Sequence, residues 1–172
     1  MRPASLDDVD EVLDLLAEAA AWMHARGYEN WPARFPPPLI AGNAERGELF
    51  VAEQDGATVA TLTLQWTDEF IWGEAGADGV AGYVHRLAVW RARSGAGLGH
   101  RLLAWADGQI RAAGRGSLRL DVVSNNRPLR DYYEAQGFGH LRDVSGEYVT
   151  SAGETKRWET SLYERACGAG NT

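Results

Sequence analysis

The stretch that decides the fold runs from Tyr83 to Gly99 and reads YVHRLAVWRARSGAGLG. Tyr83 to Val89 is aromatic, β-branched and apolar enough for a strand. Arginines follow, then Gly95, Gly97 and Gly99. Beyond them Leu98, Leu102, Trp105, Ala106 and Ala113 recur at helical spacing up to Gly114. Gly108 weakens that helix by about 1 kcal/mol relative to alanine. Such a strand, glycine loop and helix make an anion site. Glycines let the backbone approach a ligand, the first-turn N–H groups lack intrahelical partners, and the helix dipole adds positive potential. A phosphate or pyrophosphate fits it. The same glycines also fit a tight turn with no ligand. The spacing is not that of a Walker loop, which needs Gly-Lys-Ser/Thr, nor of a Rossmann start at the first strand of a βαβ unit.

Downstream, Ser117 to Val123 (SLRLDVV) is a strand, and Pro128 suits the first turn of a helix that runs to Gln136 before Gly137. Gly139 to Thr150 and Thr155 to Arg165 predict a final strand pair around Gly153. Upstream, Leu49 to Gln54 and Thr58 to Trp66 flank Asp55-Gly56, a hairpin dipeptide. Residues 67–82 are acidic and glycine-rich, which predicts a long loop. Ser5, Asp7 and Asp8 suit the start of a helix whose apolar face is Val9, Val12, Leu13, Leu16, Ala20 and Met23, ending near Gly27. Tyr28 to Pro38 holds four of the six prolines and reads as irregular, with a short helix from Leu39 to Arg46 behind it. The predicted order is α, α, β, β, β, α, β, α, β, β. It implies an α/β fold of the α+β mixed-sheet kind, with helices packed on the sheet.

A chain of 172 residues fits one domain, expected over 1–166 with a tail at 167–172. The net charge of -7 argues against a nucleic-acid or anionic-membrane binder. One cysteine, Cys167, excludes a disulfide framework and a Cys-rich zinc site. The histidines His24, His85, His100 and His140 have no metal-ligand spacing, so no metal is expected. With no apolar run of about 20 residues and no signal peptide, the expected location is the cytoplasm.

Two motifs together carry a family resemblance. LAV (87–89) leads to a Gly-x-Gly loop opening a helix, and N-x-x-L-x-x-x-Y-E-x-x-G-F spans Asn126 to Phe138. This resembles the GNAT acyltransferase superfamily, and RPAS near the start, the hairpin and the last two strands fall in the family's order. The resemblance implies the GNAT fold, with a twisted mixed sheet, splayed middle strands and about four helices. It also implies an N-acetyltransferase that moves an acetyl group from acetyl-CoA, with no metal, onto a primary amine in a ternary complex. A small-molecule acceptor is expected, because the acidic charge does not recommend nucleic acid. Many relatives are dimers, which makes a homodimer the expectation by analogy. The family's phosphate loop usually starts with Arg or Gln, whereas Ser94 stands here, and Arg91 or Arg93 is placed to supply the charge.

By the same resemblance the pantetheine arm lies along Leu87, Ala88 and Val89, in a wedge between strands 83–89 and 117–123. The pyrophosphate sits on Arg93, Ser94, Gly95, Ala96, Gly97, Leu98, Gly99 and His100. Asn126 matches a pantetheine contact, and Tyr133 the acid that protonates the departing thiolate. A phenol with a pKa near 10 can serve a thiolate whose acid is near 8.5. His85 falls where family members carry a general base, and strand alternation puts it on the face of Leu87. The acceptor is expected among Tyr28, Glu29, Trp31, Trp66, Asp68, Glu69, Trp72 and Glu74, with His85, since aromatics beside carboxylates suit a cation. Two other readings are a non-catalytic acyl-CoA-binding module and acyl transfer from a larger carrier, an aminoacyl-tRNA or carrier protein.

Overall fold

A computed structural model describes residues 1–149 and 153–168. In chain order the elements are β1 (Arg2–Pro3), α1 (Val9–His24), α2 (Pro37–Glu45), β2 (Leu49–Gln54), β3 (Ala57–Gln65), α3 (Glu69–Trp72), β4 (Ala81–Val89), α4 (Leu98–Ala112), β5 (Ser117–Val123), α5 (Arg127–Ala135), β6 (Gly139–Val149) and β7 (Thr155–Ala166). The strands form one seven-stranded sheet in the order β1-β2-β3-β4-β5-β7-β6. Every neighbouring pair is antiparallel except β4–β5, which the α4 crossover makes parallel.

Alternation along the strands splits the core in two. Leu62, Leu64, Val84, Leu118, Leu120 and Val122 pack under α4 and α5, against Leu102, Leu103, Ala106, Ile110 and Tyr133. On the other face Leu49, Val51 and Ala88 meet Val12, Leu13 and Leu16 of α1 and Ile40 of α2. Gly82 lies so close beneath α4 that a Cβ there would come within 2.5 Å of Ile110. The hairpin turn at Asp55 and Gly56 takes positive φ at both residues, +54° and +79°, as its dipeptide predicts.

The structure departs from the sequence expectations in several places. The helix expected at Leu39 opens at Pro37, because first-turn N–H groups are free in any helix and proline loses nothing there. The stretch expected as a loop over 67–82 holds α3, a 3-10 turn over Gly73–Ala77 and the start of β4. This brings the helices to five, and α3 was hidden by its length of four residues. The tail expected from 167 is tied at its start: Cys167 N–H donates to the Gly116 carbonyl at 2.8 Å, and Gly168 N–H to Asp107 at 3.1 Å. Residues 169–172 of that tail, and Thr150 at the expected end of β6, lie outside the described residues.

Two irregularities prepare the site. β4 and β5 pair only at Ala81–Ser117, Gly82–Leu118 and Tyr83–Arg119, so from Val84 onward the two strands splay. β4 also carries a bulge. Thr63 lies opposite His85 and Thr61 opposite Ala88, so β4 uses three steps where β3 uses two. Arg86 absorbs the extra residue at φ +48°. Its buried guanidinium donates to Asn43 Oδ1 at 2.9 Å and to Thr63 Oγ1 at 3.3 Å. The bulge overturns one expectation: His85 shares a face with Ala88, and Leu87 turns to the α4 side with Val84.

Candidate active site

The splay opens a cleft of about 2030 Å³. Its floor is the β5-facing edge of β4, whose backbone beyond Tyr83 has no strand partner on that side. Leu87, Ala88 and Val89 line it, facing Leu120, Val122 and Asn126. Unpaired backbone in an apolar trench is what an extended amide-bearing chain can pair with.

At one end stands the N-terminus of α4. Gly95 and Gly97 take φ +83° and +70°, conformations that glycine adopts freely, and Gly97 caps the helix in the left-handed region. The N–H groups of Leu98, Gly99 and His100 precede the first intrahelical bond, which is Arg101 N–H to the Gly97 carbonyl at 3.2 Å. Arg93, Ser94, Gly95, Gly97, Leu98 and Gly99 all line the cleft. Ala96 and His100 do not; the His100 ring is held by Gln136 Oε1 at 2.5 Å, away from the expected phosphates. Ser94 Oγ donates to the Arg91 carbonyl at 2.8 Å and so closes the short turn before the glycines. These amides and the arginine fit a pyrophosphate.

Near the middle, Tyr133 projects from α5, 8% exposed and edge-on to Tyr132 and Phe138. Burial pushes its phenol well above the usual tyrosine range, with Tyr132 and the Asp121 carboxylate adding to the shift. It therefore holds its proton at every working pH. Asn126 Oδ1 accepts the Leu129 N–H at 3.2 Å and caps α5, so its place at the cleft wall is fixed by helix geometry.

At the other end lies a carboxylate–imidazole–carboxylate line. His85 Nε2 is 3.6 Å from Asp68 Oδ2, and His85 Nδ1 is 3.8 Å from Asp121 Oδ1. Burial lowers the His85 pKa, which Asp121 opposes and Arg86 reinforces. Burial pushes Asp68 up to about 6. Asp121 Oδ2 accepts the Thr160 hydroxyl at 2.9 Å, leaving Oδ1 for the histidine. Among the described residues these three are the group compact enough to be weighed as metal ligands. However, the ring aims its two nitrogens at different carboxylates, which suits a hydrogen-bonded chain; an ion binds one nitrogen of a ring.

Tyr28, Glu29 and Trp31 line the cleft beyond this group, as do Phe70, Asp143, Trp158 and Glu159. Five expected acceptor residues lie elsewhere. Trp72 is 3% exposed in a core with Ala81, Tyr83 and Leu162, its face on the Arg119 guanidinium at 5.0 Å. Trp66 stacks on Arg115 at 5.0 Å, outside the cleft. Asp68 lies behind His85 and not in the lining, and Glu69 and Glu74 are exposed outside it. The sequence reading passed over Asp121, Phe70 and Trp158. Asp121 did carry a signal, an acid inside the apolar run SLRLDVV. Phe70 and Trp158 carry none, because their rings meet at 5.9 Å only through the tertiary fold.

This geometry has known counterparts. The model of the Acetyltransferase (GNAT) family matches residues 11–138. The uncharacterized N-acetyltransferase YesJ of Bacillus subtilis is 32% identical over 156 residues, covering 86% of each chain. A GNAT-family acetyltransferase from Listeria monocytogenes superposes with a TM-score of 0.74 at 25% identity, over 96% of this chain and 92% of that one. The yncA acetyltransferase of Salmonella typhimurium, solved with acetyl-CoA, superposes at 0.68 with 16% identity, over 99% and 95%. The chain belongs to the GNAT acetyltransferase family. Its mixed sheet and flanking helices are those of that fold.

Proposed function

We propose that the protein transfers the acetyl group of acetyl-CoA to a primary amine of a small, cationic molecule by direct attack in a ternary complex. The observation that carries this is one continuous cleft joining the free amides of α4, the unpaired edge of β4, Tyr133 and His85.

The amine must lose a proton before it has a lone pair to offer. His85, kept neutral by burial and set beside Asp121, takes that proton. The amine nitrogen bonds to the thioester carbonyl carbon, the C–S bond breaks, and the nitrogen gives its second proton to solvent, which leaves a neutral amide. Sulfur leaves as a thiolate and receives the Tyr133 proton, which solvent later replaces. Backbone amides of the β4 edge are placed to orient the thioester, and the α4 amides with Arg93 to hold the pyrophosphate. Tyr28, Trp31, Phe70 and Trp158 beside Glu29, Asp143 and Glu159 form a wall suited to an acceptor that carries positive charge.

Thermal unfolding with acetyl-CoA tests the donor. A ligand bound only to the native state adds about 2.7 kcal/mol at a hundredfold excess over Kd, a rise of several degrees. Free-thiol release across an amine panel tests the reaction, with diamines expected to outpace amino acids of similar length. A flat melting temperature at millimolar acetyl-CoA overturns the donor assignment.

A further inference from the structure

Asp68 is a buried carboxylate beside the acceptor end that does not line the cleft. Its side chain is 9% exposed. Oδ1 is spent as the N-cap of α3, accepting the Ile71 N–H at 3.3 Å. Oδ2 is buried, has no hydrogen-bond partner, and faces His85 Nε2, which is equally buried and unpartnered. A cap needs only one oxygen, and serine or asparagine would supply it without burying a charge. Capping therefore does not account for the second oxygen.

The backbone behind Asp68 is also built to hold it. Asp68 N–H donates to the Gly76 carbonyl at 2.9 Å, and a Cβ on Gly76 would collide with the Asp68 carbonyl. The neighbouring Ala75 carbonyl accepts from Tyr83 Oη at 2.8 Å and from Arg119 at 2.7 Å. The α3 turn is thus fastened to β4 and β5, the strands that carry His85 and Asp121.

We propose that Asp68 is a positioning residue of the acyl-transfer site: its free oxygen accepts the His85 Nε2–H, which fixes the tautomer and leaves the Nδ1 lone pair on the Asp121 side of the ring, where both residues line the cleft, to take the acceptor's proton. This rests on the reading of His85 as the base. The logic is that of a buried aspartate that holds one ring nitrogen so the other can work. The 3.6 Å separation in the free protein shortens when the cleft fills, as catalytic hydrogen bonds commonly do. Proton transfer then turns His85 into an imidazolium flanked by Asp68 from α3 and Asp121 from β5. Glu48, ahead of β2, adds a more distant negative charge, and Arg86 on β4 opposes all three.

The test combines Asp68→Asn, His85→Ala and the double variant in the full-length protein with acetyl-CoA and its best amine. Asparagine keeps the cap acceptor, but its NH2 donates toward Nε2 and so favours the wrong tautomer. Asp68→Asn is expected to lower kcat at least about tenfold while the KM for acetyl-CoA stays within about twofold. Removing a carboxylate from beside the ring lowers the imidazole pKa, so the acid limb of kcat/KM against pH moves to lower pH. Since Asp68 acts through His85, the double variant is expected to be no slower than His85→Ala. Asp68→Ser, which also caps, is expected to show the same loss.

Two results overturn the proposal alone: a parental acid limb in Asp68→Asn, or a double variant slower by the product of the single losses. If both capped variants fail to fold, Asp68 is structural and the proposal falls. A His85→Ala variant with parental rate and pH profile overturns the base assignment as well.

Discussion

The two ends of the cleft are made of different material. The end proposed for the donor is backbone: unpaired β4 edge, free amides at α4, and glycines at positive φ. The end proposed for the acceptor is side chains gathered from distant segments, with Trp31 after α1, Phe70 on α3, Asp121 on β5 and Trp158 on β7. Backbone recognition demands particular conformations, and those restrict sequence to glycine, proline and a few caps. Side-chain recognition demands only that a ring or an acid arrive, and many segments can deliver one. Substitution is therefore expected to be tolerated less at the backbone end than at the side-chain end.

Substitutions can probe this division. Tyr133 stands between the two ends, and Tyr133→Phe is expected to cut turnover about a hundredfold with acetyl-CoA affinity kept. Single-turnover kinetics beside a binding titration would show it, and loss of binding would make Tyr133 part of the donor end instead. Next in size is a stability effect. Asp68 has a folded pKa of about 6, above the ordinary carboxyl value, so its favourable contribution is full in acid and lost as pH rises through 6. Asp68→Asn should therefore gain about 1–2 kcal/mol over the parent between pH 5 and pH 8, read from paired denaturant curves.

Gly97→Val places a branched side chain at φ +70°, which tilts the first α4 amides, and a Kd for acetyl-CoA weaker by about tenfold is expected with the acceptor KM unchanged. Trp158→Ala is its mirror: acceptor KM up about fivefold, acetyl-CoA binding unaltered. If either variant moves both constants together, the ends are not separable. His100→Ala is expected to change both by less than about twofold, because its ring is tied to Gln136 and lies outside the cleft.

The same division explains what could be read from the sequence. The β4–glycine loop–α4 run and the Asn126-to-Phe138 motif were legible because each glycine, cap and proline answers a backbone need at a fixed offset. Trp66 and Trp72 misled because aromatics in an acidic stretch look like an acceptor wall, when Arg115 and Arg119 lie beneath them. Both arginines come from distant sequence, and no local pattern announces them. The charge of Asp68 is plain in the sequence, but its position behind His85 depends on α3, a helix too short to leave a periodic trace. The bulge at Arg86 was invisible for a different reason: nothing in YVHRLAV distinguishes a strand that alternates from one that pauses for a residue.

That pause has a consequence for how the site could be lost. With Arg86 deleted, Thr63 would still face His85 and Thr61 would still face Ala88, with Leu87 between them. Every flanking partner would be kept, and the left-handed residue and its buried cation would be gone. The product would be a strand that alternates without a break along β3. The strand that borders the cleft thus owes its bulge to one surplus residue, whose loss would leave every β3 partner in place.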